Sequence, residues 1–392
     1  MKTDIETILR KIEKIAEEKA EEIERKNYEK YKELFEKTAH YLKRQKVLLY
    51  GGYALNDLLP TNLKIYKEEA LPDIDFFSYE PKKIAIHLVK SFRKDGFHTA
   101  SFSEALHPGT YKVFVHGLQV ADITGISKAS FQRLAKNSVI GASGIAIVDP
   151  QYLRMSLHML MSQAVDSHRW SKVFKRLISF YKVYPPKRCS LKKPEKELPR
   201  EIVNTLYEKI QRDQYVLFGA RELQLMHDKK DATTTTPEHL PAIQILVDAD
   251  PEVVATNFME EMKSFQFTVK VFEQDDFIPK HAFLIYKKRN VLGIYAANAC
   301  MTYVDMNQMR IASIHTMLRM YLSMALSTYS HFTKPEVMEE LECITSSLSY
   351  LQQKTHHRKR KVLQEFLVDC YGTQPGLITL RREKFMRFRE NS

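Results

Sequence analysis

The sequence predicts an α+β fold, with two related domains in tandem behind a helical segment. Three observations carry this. Short β-rich runs alternate with runs of helical period from Lys46 to Tyr181. The same order of runs returns from Val216 to Leu326, and a proline- and lysine-rich stretch lies between the two passes. A length of 392 residues suits two or three domains, and 44% hydrophobic residues is enough to bury real cores, which excludes a disordered or fibrous chain.

The first segment, 1–46, has Ile5, Ile8, Ile12, Ile15 and Ile23 at helical spacing, with Leu34, Phe35 and Leu42 continuing a face. It contains no Gly or Pro, so one or two long amphipathic helices are expected, as a packed helix or, alternatively, a dimer-forming coil whose apolar repeat fades after Ile23. Residues 47–182 form the first domain. KVLLYGGYALNDLL reads as a strand, a Gly-Gly turn and a helix; LPDIDFFSYEP as a strand bounded by prolines; IAIHLVKSFRKDGF as a helix. TYKVFVHGLQVADITGIS reads as two strands joined at His116–Gly117, and a helix starts near Pro150. The stretch 183–200, with prolines at 185, 186, 194 and 199, has linker composition, and 201–392 is the second domain with a basic tail.

In that second pass VLFGARELQLM echoes LLYGGYALNDL, AIQILVDADP echoes PDIDFFSYEP, and FLIYKKRNVLGIYA echoes YKVFVHGLQVADIT. Laid on the first copy, Asp73 falls at Ile243, Asp75 at Ile245 and Asp122 at Ile294. Three acidic positions thus become apolar while the framework survives, as in a copy kept for packing or for binding.

Those aspartates carry the chemistry. The two-residue period of a strand sets Asp73 and Asp75 on one face and Ile74 on the other. Carboxylates held that close repel unless a cation lies between them. Hard oxygen ligands suit Mg²⁺ or Mn²⁺, and a third carboxylate, Asp122 in QVADIT, would let the site hold two ions. Such a pair stabilises the attacking and leaving oxygens of an in-line displacement at phosphorus. Upstream, Gly51–Gly52 joins a strand to a helix, where the missing Cβ atoms let a phosphate approach backbone N–H groups. Neither G-x-x-x-x-G-K-[ST] nor G-x-G-x-x-G occurs, which removes P-loop and dinucleotide-fold readings. Glu104 and His107 have E-x-x-H spacing, but Pro108–Gly109 breaks any helix there.

The order Gly51–Gly52, Asp73/Asp75, Asp122 resembles the polymerase-β-type nucleotidyltransferases. The text YGGYALN, DIDFFSYEP, ALHPGTYKVFV, DIT and IVDPQYLRMSLHMLMSQAVDSHRWSKVFKRL is closer still to the poly(A) polymerase catalytic subunits of nucleocytoplasmic large DNA viruses. The resemblance implies tandem nucleotidyltransferase-like domains (mixed sheets flanked by helices), the first active and the second degenerate. It implies a template-independent adenylyltransferase that uses ATP, an RNA 3′ end and two ions. Asp73 and Asp75 would serve both ions and Asp122 the ion next to the 3′-hydroxyl. It also places a triphosphate-binding helix near HRWSKVFKR, with Arg169, Lys172 and Lys175 as candidates beside Gly51 and Gly52. A homodimer is a further implication. An inactive RNA-binding relative, or a CCA-adding or uridylyl enzyme, are the alternatives.

Lys+Arg 60 against Asp+Glu 48 gives a net charge of +12, which fits a polyanionic partner. THHRKRK and RREKFMRFRE near the end mix cations with Phe385 and Phe388, a pattern suited to single-stranded RNA. No apolar run reaches the roughly 20 residues of a membrane span, and the start lacks a signal peptide's apolar core. The four cysteines are far apart with no C-x-x-C, so reduced thiols in a cytoplasmic setting are expected, which the viral resemblance would specify as the viral factory or the virion.

Overall fold

Helix α1 runs without a break from Lys2 to Leu42, as a stretch free of Gly and Pro allows. Its apolar stripe is buried only near the C-terminal end. Leu34, Phe35 and Leu42 join the core, while Ile5, Ile8, Ile12, Ile15 and Ile23 are 49–59% exposed. The expectation of a packed helix therefore holds for its last turns alone. The computed structural model describes residues 2–66, 70–187, 189, 198–219, 237–355 and 366–390.

Contacts divide the chain into two compact units. One comprises Met1–Phe131, Asn137–Val148 and Leu380–Ser392; the other comprises Gln132–Lys136 and Asp149–Thr379. These limits differ from the expected 47–182 and 201–392. Helices α5 (Pro150–Met161) and α6 (Trp170–Val183) group with the second unit because α5 packs along a long helix there, α9 (Ile314–Leu326). Inside that contact the buried imidazoles of His158 and His315 meet at 2.9 Å. Most of the expected linker, 188 and 190–197, lies outside the described residues, as does most of the THHRKRK run, 356–361.

The first unit is built on strands β1 (Leu48–Leu49), β2 (Ile74–Ser78), β3 (Ser101–Glu104), β4 (Thr110–Val115), β5 (Leu118–Gly125), β6 (Val139–Ile140) and β7 (Ala146–Ile147). They form one mixed sheet in the order β3-β4-β5-β2-β1-β7-β6. Helices α2 (Gly51–Leu58) and α3 (Pro81–Lys94) connect its strands, and α4 (Lys128–Lys136) leads from β5 to β6. Ile74, Phe76, Val113, Ile123 and Ile147 are buried in the sheet. The β4–β5 hairpin turns at His116 (φ 52°) and Gly117 (φ 78°), the paired positive φ of a tight primed turn.

The second unit repeats the plan with β8 (Val216–Leu217), β9 (Ile243–Val247), β10 (Thr268–Phe272), β11 (His281–Tyr286), β12 (Arg289–Ala296), β13 (Met301–Met306) and β14 (Met309–Ala312). The order is β10-β11-β12-β9-β8-β14-β13, extended by β15 (Cys370–Tyr371). Among the described residues its helices besides α5, α6 and α9 are α7 (Arg200–Arg212), α8 (Pro251–Glu261), α10 (Ser330–Thr333) and α11 (Pro335–Thr355). The register fixes the correspondence. Tyr50 N–H bonds Asp75 O in one unit and Phe218 N–H bonds Gln244 O in the other, both at 3.0 Å. Asp75 faces Asp122 across the parallel pair β2/β5, and Gln244 faces Gly293 across β9/β12. Both hairpins even carry a bulge at the matching step. The counterparts of Asp73, Asp75 and Asp122 are therefore Ala242, Gln244 and Gly293, not Ile243, Ile245 and Ile294. A one-residue slip moves every strand side chain to the other face. The loss of all three carboxylates survives the correction. Most of VLFGARELQLM, the run that echoes LLYGGYALNDL, lies outside the described residues, from Ala220 on.

The four cysteines are not free thiols: Cys189 pairs with Cys343 and Cys300 with Cys370, with Cα atoms 5.2 and 5.1 Å apart. Sequence separations of 154 and 70 hide such pairs from any spacing rule. No described helix is long and apolar enough to cross a membrane.

Candidate active site

Strands β2 and β5 run parallel, so their side chains align in rows across the sheet. Asp75 and Asp122 are direct register partners, and Asp73 stands two residues before Asp75 on the same face. One carboxylate oxygen from each of the three lies within 4.8 Å of the others. All three are half-buried, so the cluster is neither solvated nor sealed.

The glycine turn closes against them. Gly51, at φ +73°, opens α2, and a Cβ built there would collide with the Asp75 carboxylate. Glycine is thus required on two grounds, backbone conformation and space. The preceding Tyr50 is stacked on Phe77 at 4.2 Å and its hydroxyl meets Thr124 Oγ1 at 2.8 Å, tying β1 to both acidic strands. On α2, Asn56 Oδ1 accepts the N–H groups of Ile65 (2.9 Å) and Tyr66 (3.2 Å), holding the start of the segment that leads to Asp73. Asp57 on the same helix accepts from the Ser143 N–H at 2.8 Å and its hydroxyl at 2.7 Å.

A cation already touches the cluster. Lys112 Nζ lies 3.2 Å from Asp122 Oδ2 and donates to Gln119 Oε1 at 2.8 Å, while the Gln119 amide donates to Asp73. Lys112 and Gln119 were missed in the sequence. An unbroken hairpin would set Lys112 opposite Ala121; the bulge at Val113/Phe114 moves it opposite Asp122. A lysine in an otherwise apolar strand was the available signal.

Burial pushes the Asp122 carboxyl above the usual carboxylate range; Lys112 works against this and the Asp73 charge adds to it. Its second oxygen, Oδ1, is buried with no hydrogen-bond partner. A buried carboxylate oxygen left unmatched beside two further carboxylates, with glycine backbone opposite, fits a small divalent cation that shares oxygen ligands.

Arg169, Lys172 and Lys175 are exposed and belong to the second unit, at the start of α6 and the turn before it. The constellation within the first unit does not include them. Arg169 lies 4.0 Å from Asp166, and partial burial, then the neighbouring charges of Arg176 and Arg169, hold the Lys172 ammonium below its usual range. Glu104 accepts the Gly109 N–H at 3.1 Å and shapes the turn before β4.

A seven-stranded sheet flanked by helices carries an aspartate triad beside a strand–Gly-Gly–helix turn and is followed by a second sheet of the same strand order without the triad. Residues 36–167 match the family model described as poly(A) polymerase catalytic subunit, and the resemblance read in the sequence holds for the segment that carries all three aspartates. A protein of Acanthamoeba polyphaga mimivirus described as a poly(A) polymerase catalytic subunit is 29% identical over 193 residues, 47% of this chain and 32% of its own length. One of African swine fever virus, described likewise, is 28% identical over 139 residues, 35% of this chain and 28% of its own length. The matched stretch thus spans about a third of these relatives. The crystal structure of the Megavirus polyadenylate synthase shares the fold, with a TM-score of 0.78 at 19% identity over 98% of this chain and 83% of that one.

Proposed function

We propose that this chain is a template-independent polynucleotide adenylyltransferase that transfers AMP from ATP to RNA 3′ ends, with two Mg²⁺ or Mn²⁺ ions. The observation that carries the reading is the convergence of Asp73, Asp75 and Asp122 within 4.8 Å. These residues would hold the ions, Asp73 and Asp75 both of them and Asp122 the one next to the primer. Ions held there would supply charge neutralisation at the α-phosphate and make the 3′-hydroxyl easier to deprotonate. The 3′-oxygen would form a bond to the α-phosphorus and give up its proton to water, while the α–β bridge breaks and pyrophosphate leaves.

The chain's own residues prepare that step. Gly51 and Gly52 leave room for the triphosphate near the start of α2. Lys112 and Gln119 hold Asp122 and Asp73 in place, so the ligand set needs little reorganisation. Arg169, Lys172 and Lys175 are proposed to offset triphosphate charge; losing Lys172 and Lys175 together should raise KM for ATP more than it lowers kcat. The choice of adenine rests on the family match of 36–167, not on a base-reading side chain. The first unit is the catalytic one in this reading, and the second serves packing or RNA. Pairing of two copies is supported by the exposed isoleucines of α1, whose three-and-four spacing from Ile5 to Ile15 suits a helix seam. Sedimentation at several salt concentrations tests it. The relatives' viral origin supports a cytoplasmic, viral-factory or virion setting, and the two cysteine pairs favour the least reducing of these, the virion.

The test of function is incubation of the protein with a labelled RNA primer, Mg²⁺ or Mn²⁺ and each nucleoside triphosphate separately. Extension with ATP alone, lost in Asp73→Ala/Asp75→Ala, is the expected result. Extension with UTP, or with CTP and ATP in a fixed order, would move the assignment to a uridylyl or CCA-adding enzyme. No extension by the parent chain would leave the RNA-binding alternative.

A further inference from the structure

We propose that the C-terminal helix α12 (Leu377–Glu390) is a docking surface for the single-stranded RNA whose end enters the first unit. The choice of RNA rests on the function proposed above; the surface rests on its own geometry. From Leu380 onward the chain returns to the triad's unit after more than 200 residues spent in the other. Arg387 fixes it there, donating to the backbone carbonyl of Leu106 at 3.0 Å. Leu106 lies in the turn that feeds β4, where Ala105 N–H bonds Thr110 O at 2.7 Å. Lys112, opposite Asp122, stands two residues beyond Thr110 in that strand, a rise of about 7 Å from Thr110.

The helix docks by one face. Leu380, Lys384 and Arg387, spaced i, i+4, i+7, are half-buried, whereas Arg381, Arg382, Phe385 and Arg389 are exposed. Phe385, 59% exposed, stands between Arg381 and Arg382 one turn before and Arg389 one turn after. A solvated tail would have no reason to be held by Arg387 or to present an aromatic ring between cations. A helix for a membrane surface would segregate its apolar and cationic residues onto opposite faces; here they share one. A ring that can stack on a base, with guanidinium groups one helical turn to either side, matches a single strand. Between Leu380 and Arg389 five cations oppose one anion, Glu383.

The test is fluorescence anisotropy of a labelled oligo(A) RNA with the full chain in EDTA, where the triad takes no part, across a salt series. Arg382→Ser/Arg389→Ser should weaken binding about tenfold and make the slope of log affinity against log salt shallower by about 1.4, at ~0.7 per charge for single strands. Phe385→Ala should weaken it roughly tenfold with the slope unchanged, since stacking carries no counterion release. Melting temperatures equal to the parent's control for folding, because all three side chains are exposed. Variants that bind RNA with the parent's affinity and slope overturn the proposal, whether or not the parent extends primers; a partner protein would then be the better occupant. A parent that fails to extend any primer while these variants still lose RNA would overturn the proposed function and leave this surface standing.

Discussion

The two units hold one strand order and one register, yet their equivalent faces are finished in opposite ways. In the first, Asp73, Asp75 and Asp122 crowd together beside a glycine that leaves room. In the second, Ala242, Gln244 and Gly293 take those places, and rings fill the space. The Gln244 amide donates to the Tyr321 hydroxyl at 2.9 Å, and Phe218, the counterpart of Tyr50, packs edge-on against Tyr295 and Tyr321. Where Thr124 presents a hydroxyl to Tyr50, the second unit carries Tyr295, fully buried, its phenol pushed well above the usual range by that burial. A sheet that need not hold like charges can be packed dry. The carboxylates persist only where glycine, half-exposure and a nearby lysine make them tolerable, and such tolerance without function would be hard to explain.

The sharpest way to break the contrast is to change the matching residue on each side. Asp75→Asn should cut the initial rate of primer extension about a thousandfold, the scale of several kcal/mol of lost charge stabilisation. Gln244→Ala, assayed well below its melting temperature, should leave the rate unchanged. Grafting runs the comparison backwards. Gln244→Asp/Gly293→Asp puts two carboxylates into a packed site, where a Cβ at 293 would already meet the Tyr295 ring at 2.8 Å. Urea unfolding should show a loss of about 3–5 kcal/mol, the scale of uncompensated buried charge, with no recovery in Mn²⁺.

A smaller effect is expected at the glycine. Gly51→Ala forces a side chain into a left-handed backbone that costs about 1–2 kcal/mol and drives the Asp75 carboxylate aside. Extension should fall roughly a hundredfold, as for an ångström-scale misplacement of a reacting group. The smallest effect lies in the second unit, where His281 Nε2 meets His331 Nε2 at 3.0 Å among aromatic rings. Burial holds His281 down to about 4 and His331 to about 3, from an ordinary 6.5. The unfolded chain therefore binds protons first, so stability is full above pH 6.5 and is lost as pH falls toward 4 and then 3. His331→Phe should flatten that part of the curve of melting temperature against pH.

Much of the first unit was legible because its signals are local. D-I-D alternation, the Gly-Gly turn and the His116–Gly117 hairpin each specify geometry within a few residues. What escaped was long-range or depended on register. A bulge decides that Lys112 faces Asp122, and a one-residue slip turned Ala242, Gln244 and Gly293 into their isoleucine neighbours. The cysteine pairs join segments that meet only in the folded second unit. The unit boundary at Val148/Asp149 arises from α5 packing along α9, a contact no composition shift marks. The isoleucines of α1 announced a helix correctly, but periodicity is the same for a face that meets a core and one that meets solvent.

Depletion of the free Mn²⁺ electron paramagnetic resonance signal, titrated against the parent chain and against Asp73→Ala/Asp75→Ala, asks directly whether three aspartates of one unit hold metal. The parent should remove Mn²⁺ from solution and the double variant should leave the signal undiminished, with both chains melting alike. Equal depletion by the two would place the ions elsewhere and remove the triad from the chemistry.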